Sequence, residues 1–413
     1  MRSLVFLIAL FCCLSATAQR PRDTIFSAKL NADRTFTGSL PLSYGQTKDK
    51  KYPLLLLLDG EYLFDVFDGN FAFGNYWDDL PEVIIVGIDQ NKENQREADC
   101  MMNQEGLPEE TGAAFFEFIG AELLPALEKQ YRLSPFKIIA GHNITAGFMN
   151  LFLYKEDPLF SGYISMGAEF GEQMMERIPV MLKTAKKPIF YYHSSADGDL
   201  KHNLKGIQTL DGNIKTILNS NINYRYDEFK GASHYSLVAY SVPNAIYHIF
   251  SSYQPISKTE FDEKLVKLES GYVDYLVKKY ETINKAYGAK MAIRITDFKA
   301  VEAAILKNKA YAEFEKLAAL SRKAYPKSML SAYHMGMFYE KTGDFKKALK
   351  AYQAGFSLDA IGDLTKDFIV EKVEEMKQGA SAKKAAAAEP EPEPTPTETT
   401  EPAKEEQPAT EKP

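Results

Sequence analysis

Short apolar segments recur between residues 22 and 253, and several of them carry no polar alternation. Continuous apolar runs of this kind are typical of strands that a sheet buries on both faces. Amphipathic helical patterns separate them, most clearly at 113–131. The segments that predict strands are 52–58, 83–88, 137–140, 162–166, 189–193 and 222–229. This alternation predicts an α/β fold with a mostly parallel sheet, and segments 24–30 and 34–42 predict an added antiparallel edge.

The stretch from 256 to 378 shows no strand pattern, and its apolar residues recur three and four positions apart. It predicts an all-α domain that follows an α/β domain spanning 19–255. Residues 332–352 have the spacing of a tetratricopeptide repeat, with small residues where two helices cross and aromatic residues that fill the gap between them. Two interpretations are open: the helices only stabilise the first domain, or they form a groove that binds a protein partner.

Residues 379–413 are expected to form a disordered tail. After residue 388 the sequence contains no aromatic or branched aliphatic side chain, so it cannot bury enough apolar surface to offset the entropy of ordering. Residues 389–413 carry eight Glu and two Lys, while the net charge of the whole chain is −7. Most of the excess negative charge therefore lies in the tail, and the charge balance gives no indication of nucleic-acid binding.

The first 18 residues have the pattern of a secretory signal peptide, with Arg2, an apolar run at 4–14 and small residues up to Ala18. Cleavage near Ala18 predicts an exported protein that is periplasmic or associated with the cell envelope. No later run approaches ~20 apolar residues, so we expect no integral membrane segment. The mature chain would keep only Cys100, which excludes an internal disulfide.

A glycine-rich turn follows the predicted strand at 137–140. It reads Gly141-His142-Asn143-Ile144-Thr145-Ala146-Gly147 and leads into an apolar helix at 148–154. A strand, a sharp turn and a helix in this order are the setting in which an α/β-hydrolase presents its nucleophilic serine. In this sequence the central position of the turn is Asn143.

Four motifs keep the order and spacing of the esterase D branch of the α/β-hydrolases, which includes siderophore esterases, and the chain resembles that branch over residues 22–253. Residues 53–60 resemble the strand with the loop that forms half of the oxyanion hole, and 81–88 resemble the next strand. Residues 141–143 resemble the nucleophile turn, and 231–236 resemble the segment with the catalytic histidine. The resemblance implies an α/β-hydrolase sheet with helices on both faces. Exported members of the branch also carry a helical region behind the hydrolase domain.

The resemblance also implies roles for individual residues. The catalytic positions would be Asn143, His234 and Asp197, with Asp199 as the alternative acid. The positions that bind an oxyanion or a ligand would be Gly60, Glu61 and Ile144. No histidine stands at metal-ligand spacing with cysteines or carboxylates beyond one unremarkable pair, so we expect no metal and no cofactor.

The departure from the branch lies at the nucleophile. A carboxamide has neither an ionisable proton near neutral pH nor a free nitrogen lone pair, so Asn143 cannot form an acyl-enzyme. Removing such a nucleophile costs roughly 10^6 in turnover in a well-studied hydrolase. Thr145 is expected to point away from His234, and Ser165 and Ser194 have no base beside them in the sequence.

These features predict a catalytically inactive esterase-like protein that serves as a structural or interaction component of an exported envelope assembly. Its partners would be proteins that bind the helical domain. The alternative is a weakly active carboxylic-ester hydrolase, or a protein that binds an ester or sugar ligand in the same cleft, with water activated by His234. A serine-directed fluorophosphonate, which needs a nucleophile at the turn, tests these hypotheses.

Overall fold

The structure is a computed structural model that describes residues 22–386, except Glu93 and Ala289. The predicted signal peptide at 1–18 and the part of the predicted tail beyond 386 lie outside the described residues. The chain divides into two compact units, residues 1–308 and 309–413. The division therefore falls at residue 308 and not after 255, so the helices that precede residue 308 belong with the α/β unit. None of the described helices is long and apolar enough to cross a membrane.

One eight-stranded sheet forms the centre of the first unit. Its strands β1 to β8, in chain order, are Arg22–Ser27, Ala32–Ser39, Tyr52–Leu57, Ile84–Ile88, Leu133–His142, Gly162–Met166, Ile189–Gly198 and Ile222–Ser233. Their order in the sheet is β1-β2-β4-β3-β5-β6-β7-β8. Strands β3 to β8 pair in parallel, whereas β1 with β2 and β2 with β4 pair antiparallel. The predicted parallel sheet with an antiparallel edge is confirmed.

Eleven α-helical segments are described in this unit. They are α1 to α11, in chain order Gly60–Tyr76, Gln95–Asp99, Glu110–Glu117, Leu124–Gln130, Ile144–Phe148, Met174–Thr184, Lys201–Ile214, Leu237–Ile249, Lys258–Glu260, Tyr272–Tyr287 and Ile295–Lys307. Shorter 3₁₀ or π-helical segments extend or connect them at Leu42–Gly45, Phe118–Leu123, Met149–Tyr154, Ser251–Tyr253 and Phe261–Leu265.

Strand β3 shows why the apolar runs of this sequence have no polar alternation. Its side chains alternate between the two faces of the sheet, and every residue of the strand is buried. Leu54 and Leu56 pack in a cluster with Phe115 of α3, while Leu55 and Leu57 are fully buried on the other face. Burial on both faces leaves no position for a polar side chain. Because strands β3 to β8 run parallel, their carboxyl ends lie at one edge of the sheet.

The second unit is helical in the part that is described. Its helices α12 to α15 are Glu313–Ala324, Leu330–Lys341, Phe345–Ala354 and Lys366–Ala386. Each of them packs on the next along the chain. The predicted all-α region is confirmed, whereas its repeat character stays a prediction. Helix α15 ends at Ala386, so helical structure continues beyond residue 378, where the tail was predicted to begin.

Helices α13 and α14 approach each other most closely at Gly336. A Cβ atom at this glycine would lie 2.2 Å from a ring carbon of Tyr352, and both residues are buried. The hydroxyl of Tyr352 donates a hydrogen bond to Glu340, which fixes the ring against the glycine (2.6 Å). Small residues were predicted at this helix crossing. They are needed at Gly336 because a larger side chain would overlap the ring of Tyr352.

We expect Gly336→Ala to destabilise the second unit by roughly 1–3 kcal/mol, because the added methyl group overpacks a contact that cannot open without breaking the Tyr352 bond. Urea unfolding followed by far-UV circular dichroism measures the change. Tyr352→Leu makes room for the added methyl group. The stability lost through Gly336→Ala should therefore be smaller in the Tyr352→Leu background than in the wild-type background. Equal stability of Gly336→Ala and wild type would show that the close approach is not limiting.

Strand β7 buries a neutral histidine. His193 is fully buried, and its Nε2 donates to the hydroxyl of Tyr224, which in turn donates to Asp211 (2.7 and 2.6 Å). Its Nδ1 has no hydrogen-bond partner among the residues described. Burial lowers the pKa of His193 from 6.5 to about 3. Below pH 6.5 the unfolded chain therefore binds a proton at this residue that the folded chain does not.

The sign of this shift predicts that the free energy of unfolding falls as the pH drops below about 6.5. His193 should contribute a loss of about 2 kcal/mol between pH 7 and pH 5, since only the unfolded state is protonated there. His193→Gln keeps the donor to Tyr224 and should reduce the loss by that amount. The exposed His202→Gln is the matched control and should leave it unchanged. Urea unfolding monitored by the fluorescence of Trp77, the single tryptophan, measures both variants; an unaltered pH dependence in His193→Gln would contradict the assignment.

Candidate active site

The glycine-rich turn between β5 and α5 has the backbone of a nucleophile turn. Asn143 lies between the strand and the helix with φ 59° and ψ −120°. A positive φ is uncommon for residues with a side chain, although Asn tolerates it better than most. The flanking glycines allow the close packing, because a Cβ at Gly141 would lie 2.7 Å from the backbone of Thr145 and one at Gly147 would lie 1.8 Å from the carbonyl oxygen of Glu169. The predicted turn is present, with the side-chain amide of Asn143 at its central position.

The side chain of Asn143 is held by a second carboxamide. Its Oδ1 accepts a hydrogen bond from Nδ2 of Asn203 on α7 (3.0 Å). Asn203 Nδ2 also donates to the carbonyl oxygen of Gly167 at the end of β6 (3.1 Å). Asn143 is half-buried, and its Nδ2 has no partner in the described part of the chain. The free end of the Asn143 amide is therefore a hydrogen-bond donor.

Asn203 was missed by the sequence analysis. It is 1% exposed, and its Oδ1 is a buried acceptor without a partner among the described residues. A buried polar atom that lacks a hydrogen bond costs about 1–3 kcal/mol. Asn203 lies on α7, which follows β7, whereas the turn follows β5. No spacing rule in the sequence therefore connects the two residues. Its contact with Asn143 depends on the tertiary fold alone.

His234 pairs with Asp199. Its Nδ1 donates to Oδ1 of Asp199 at 2.5 Å, and both residues are more than nine-tenths buried. Asp197, the first choice from the sequence, instead accepts from the backbone N–H of Gly231 (2.9 Å). The reason is local: the register of β7 and β8 shifts between Ala196 and Gly198, and the turn brings Oδ2 of Asp199 back to the N–H of Ala196 (2.7 Å). The carboxylate beside the histidine is thus the one predicted as the alternative.

Gly167 lies against both halves of the site. Its carbonyl oxygen is bonded by Asn203, which also holds Asn143. A Cβ at Gly167 would lie 3.2 Å from Cε1 of His234 and 3.2 Å from Oδ1 of Asp199. The fold therefore brings Asn143 and the His234–Asp199 pair to the same end of β6. Nε2 of His234 has no hydrogen-bond partner in the described residues, and with Nδ1 protonated it carries a lone pair.

His142 packs against the ring of His234. The two ring centroids are 4.6 Å apart, and Nε2 of His142 donates to the backbone carbonyl of His234 (3.0 Å). Burial, together with His234, lowers the pKa of His142 to about 4. The hydroxyl of Tyr62 lies 3.0 Å from Nδ1 of His142 and 2.9 Å from Oδ2 of Asp59, so its one proton serves one of these acceptors at a time. No role was predicted for His142 from the sequence, although its position directly before Asn143 indicates that it lies in the site.

A buried carboxylate joins the loop after β3 to the turn. Asp59 is fully buried and accepts from Nε of Arg96 (2.5 Å) and from the hydroxyl of Thr145 (2.7 Å). Arg96 also donates to the carbonyl oxygen of His142 (2.9 Å). Thr145 therefore faces Asp59, in line with the expectation that it points away from His234. Asp59 and Arg96 are structural members of the site that sequence reasoning missed, although Asp59 lies within the 53–60 motif.

The predicted oxyanion positions lie at two helix N-termini. Gly60 is the first residue of α1, packed so closely that a Cβ would lie 2.5 Å from the backbone of Gly87. The carboxylate of Glu61 accepts from the backbone N–H groups of Gln90 and Asn91 (2.7 and 2.6 Å). Ile144 is the first residue of α5. The bond from Thr145 to Asp59 ties these two N-termini together.

The other nucleophile candidates are bonded elsewhere. The hydroxyl of Ser165 donates to the carbonyl oxygen of Ala146 (3.2 Å), and Ser194 pairs with Ser241 (2.7 Å). Neither bond involves a base. Among the candidates weighed from the sequence, the described structure therefore offers no alternative to Asn143 at the turn.

Comparisons with known proteins agree with this geometry. Residues 27–187 match the family model described as "Putative esterase". An uncharacterised protein from Capnocytophaga ochracea DSM 7271 has a similar structure, with 27% identity, a TM-score of 0.76 and coverage of 87% of this chain and 100% of that chain. An IroE-like serine hydrolase from Shewanella oneidensis is similar in fold, with 17% identity, a TM-score of 0.57 and coverage of 74% and 99%. No curated protein matches this sequence. Residues 27–187 are thus similar in sequence to esterases, and the similarity to the Shewanella structure shows the fold alone.

Proposed function

We propose that this protein is a pseudo-esterase, which retains the cleft of an esterase without its nucleophile and acts as an interaction component of an exported envelope assembly. The observation that carries the proposal is the carboxamide of Asn143 at the nucleophile position, fixed by Asn203 (3.0 Å). An acyl-enzyme requires a nucleophile whose proton the histidine removes. The amide of Asn143 has none, so the first covalent step of ester hydrolysis has no starting atom.

The same cleft is equipped to bind a polar ligand. Nδ2 of Asn143 offers a donor, and the lone pair on Nε2 of His234 offers an acceptor. A carbonyl oxygen could accept from the first, and a hydroxyl group could donate to the second. The carboxylate of Asp199 against Nδ1 keeps the histidine in the tautomer that this requires (2.5 Å). A small ester supplies the carbonyl oxygen, and a sugar supplies hydroxyl groups that can both accept and donate, so small esters and sugars are the ligand classes that we propose.

The interaction role rests on the second unit and the sequence termini. None of the site residues described around Asn143 and His234 belongs to the second unit. The repeat spacing at 332–352 in that unit is typical of helices that bind other proteins. The signal-peptide pattern at 1–18 supports the proposal that such an assembly lies outside the cytoplasm.

A second candidate function is slow ester hydrolysis. The preserved His234–Asp199 pair favours it, since a histidine held by a carboxylate can act as a general base toward water. The amides at Gly60, Glu61 and Ile144 would then stabilise the oxyanion. This mechanism needs no acyl-enzyme and would survive replacement of Asn143 by Ala.

We expect the wild-type protein to show no labelling by a serine-directed fluorophosphonate, and only trace hydrolysis of short p-nitrophenyl esters. Asn143→Ser should restore a nucleophile beside His234 and produce weak labelling, read by intact-protein mass spectrometry. Labelling should disappear in Asn143→Ser/His234→Ala. Hydrolysis by the wild type at ordinary esterase rates would overturn the pseudo-esterase proposal. Slow hydrolysis above the trace level that persists in Asn143→Ala but is lost in His234→Ala would favour the second candidate function instead.

The two acids should be separable in the Asn143→Ser background. Asp199→Asn removes the carboxylate that orients His234 and should lower the rate of fluorophosphonate labelling at least tenfold, because the wrong tautomer of the imidazole is then favoured. Asp197→Asn is the matched control, and it should change the rate less than twofold, since Asp197 bonds only the Gly231 backbone. The opposite order of effects would restore the first acid assignment.

A further inference from the structure

A groove of about 540 Å³ lies within the second unit, between helices α12, α13 and α14. Its floor is formed by small or flexible apolar side chains, which include Ala332, Met335 and Ala351. No motif of the esterase-like unit contributes to it. The groove is therefore separate from the site around Asn143.

The lining of the groove is cationic. Among the described residues that line it, Arg322, Lys347 and Lys350 carry positive charge and none is acidic. All three are exposed. Lys347 is paired with Asp344 (3.0 Å), whereas Arg322 and Lys350 have no ion-pair partner in the described part of the chain. A ligand with small apolar groups and several carboxylates would complement both the floor and the charge.

The sequence of the chain contains a segment of that chemistry. Residues 389–413 carry eight Glu against two Lys, and the remaining residues are Pro, Thr, Ala and Gln. The segment opens with Glu and Pro in alternation at 389–394. Proline restricts the chain to extended conformations, which lowers the entropy lost when such a segment lies along a groove. Its side chains are small enough for a floor of alanine and methionine.

Helix α15, which precedes this segment in the chain, packs on α14, one of the helices that line the groove. Gly379 lies against the ring of Phe345, the first residue of α14 (3.3 Å from a Cβ at that glycine). Lys347 and Lys350, which line the groove, belong to the same helix α14. Residues 387–413 follow the helix end at Ala386, and an extended chain covers about 3.3 Å per residue. About ten residues would therefore span ~30 Å, more than the length of α14.

We propose that the groove of the second unit binds the acidic segment 389–413 of the same chain. The glutamates pair with Arg322 and Lys350, and prolines and alanines contact the apolar floor. The attachment through α15 keeps the effective concentration of the segment high, so pairs that would be weak between separate molecules suffice. A protein partner that uses the groove must then displace this segment. The inference is independent of the chemistry at Asn143.

Zero-length cross-linking with a water-soluble carbodiimide tests the proposal on the full chain. We expect amide cross-links from glutamates of 389–411 to Lys347 and Lys350 in the monomer fraction, at several times the yield found for Lys346, the exposed neighbour that does not line the groove. Raising NaCl from about 50 to about 500 mM should lower the yield severalfold, because the exposed charges are screened. Peptide mass spectrometry after size exclusion quantifies each link.

Charge reversal at a residue that cannot itself be cross-linked gives the control. Arg322→Glu should lower the yield at Lys350 at least threefold, and Lys323→Glu, an equivalent reversal at an exposed neighbour outside the groove lining, should leave it within a factor of 1.5. Both residues are exposed, so circular dichroism should show unchanged folding. Equal yields at Lys346 and Lys350, or no response to Arg322→Glu, would overturn the proposal. Links confined to a dimer fraction would overturn it in favour of a second copy as the occupant.

Discussion

The buried carboxylate of Asp59 is the constraint on which the rest of the site depends. A charge without access to water is costly unless it is paired and fully hydrogen-bonded. Here Arg96 and Thr145 supply the partners, and they come from α2 and from the start of α5. The single side chain of Asp59 therefore joins the loop after β3 to two helices at the carboxyl edge of the sheet. The turn that carries Asn143 is held in place by a network that does not include Asn143 itself.

That arrangement makes the turn independent of the side chain at its centre. The buried ion pair of Asp59 and the His234–Asp199 bond involve no atom of Asn143. The side-chain oxygen of Asn143 accepts from Asn203, which lies outside the turn. The proposed ligand would therefore meet polar groups that the fold itself holds in place.

The sequence predicted the sheet because burial on both faces leaves a mark in every strand, as β3 shows. It could not choose between Asp197 and Asp199, since a register shift in β7 decides which carboxylate turns toward His234. Asn203 left no signal because its helix is distant in sequence from the turn. The domain boundary was placed too early, because the helices before residue 308 have the same periodicity as those after it, and periodicity does not say what a helix packs on.

The backbone of Asn143 shows what the turn costs. At φ 59° and ψ −120° the residue lies outside the left-handed helical region in which asparagine is favoured, so its backbone is strained as that of most residues with a side chain would be. Such strain persists only where the surrounding structure holds it. At this turn the hydrogen bond from Asn203 to the Asn143 side chain is one of the contacts that offset it. The turn positions α5 and the Asp59 network, and the side-chain oxygen of Asn203 beside it is a buried acceptor that has no hydrogen-bond partner among the described residues.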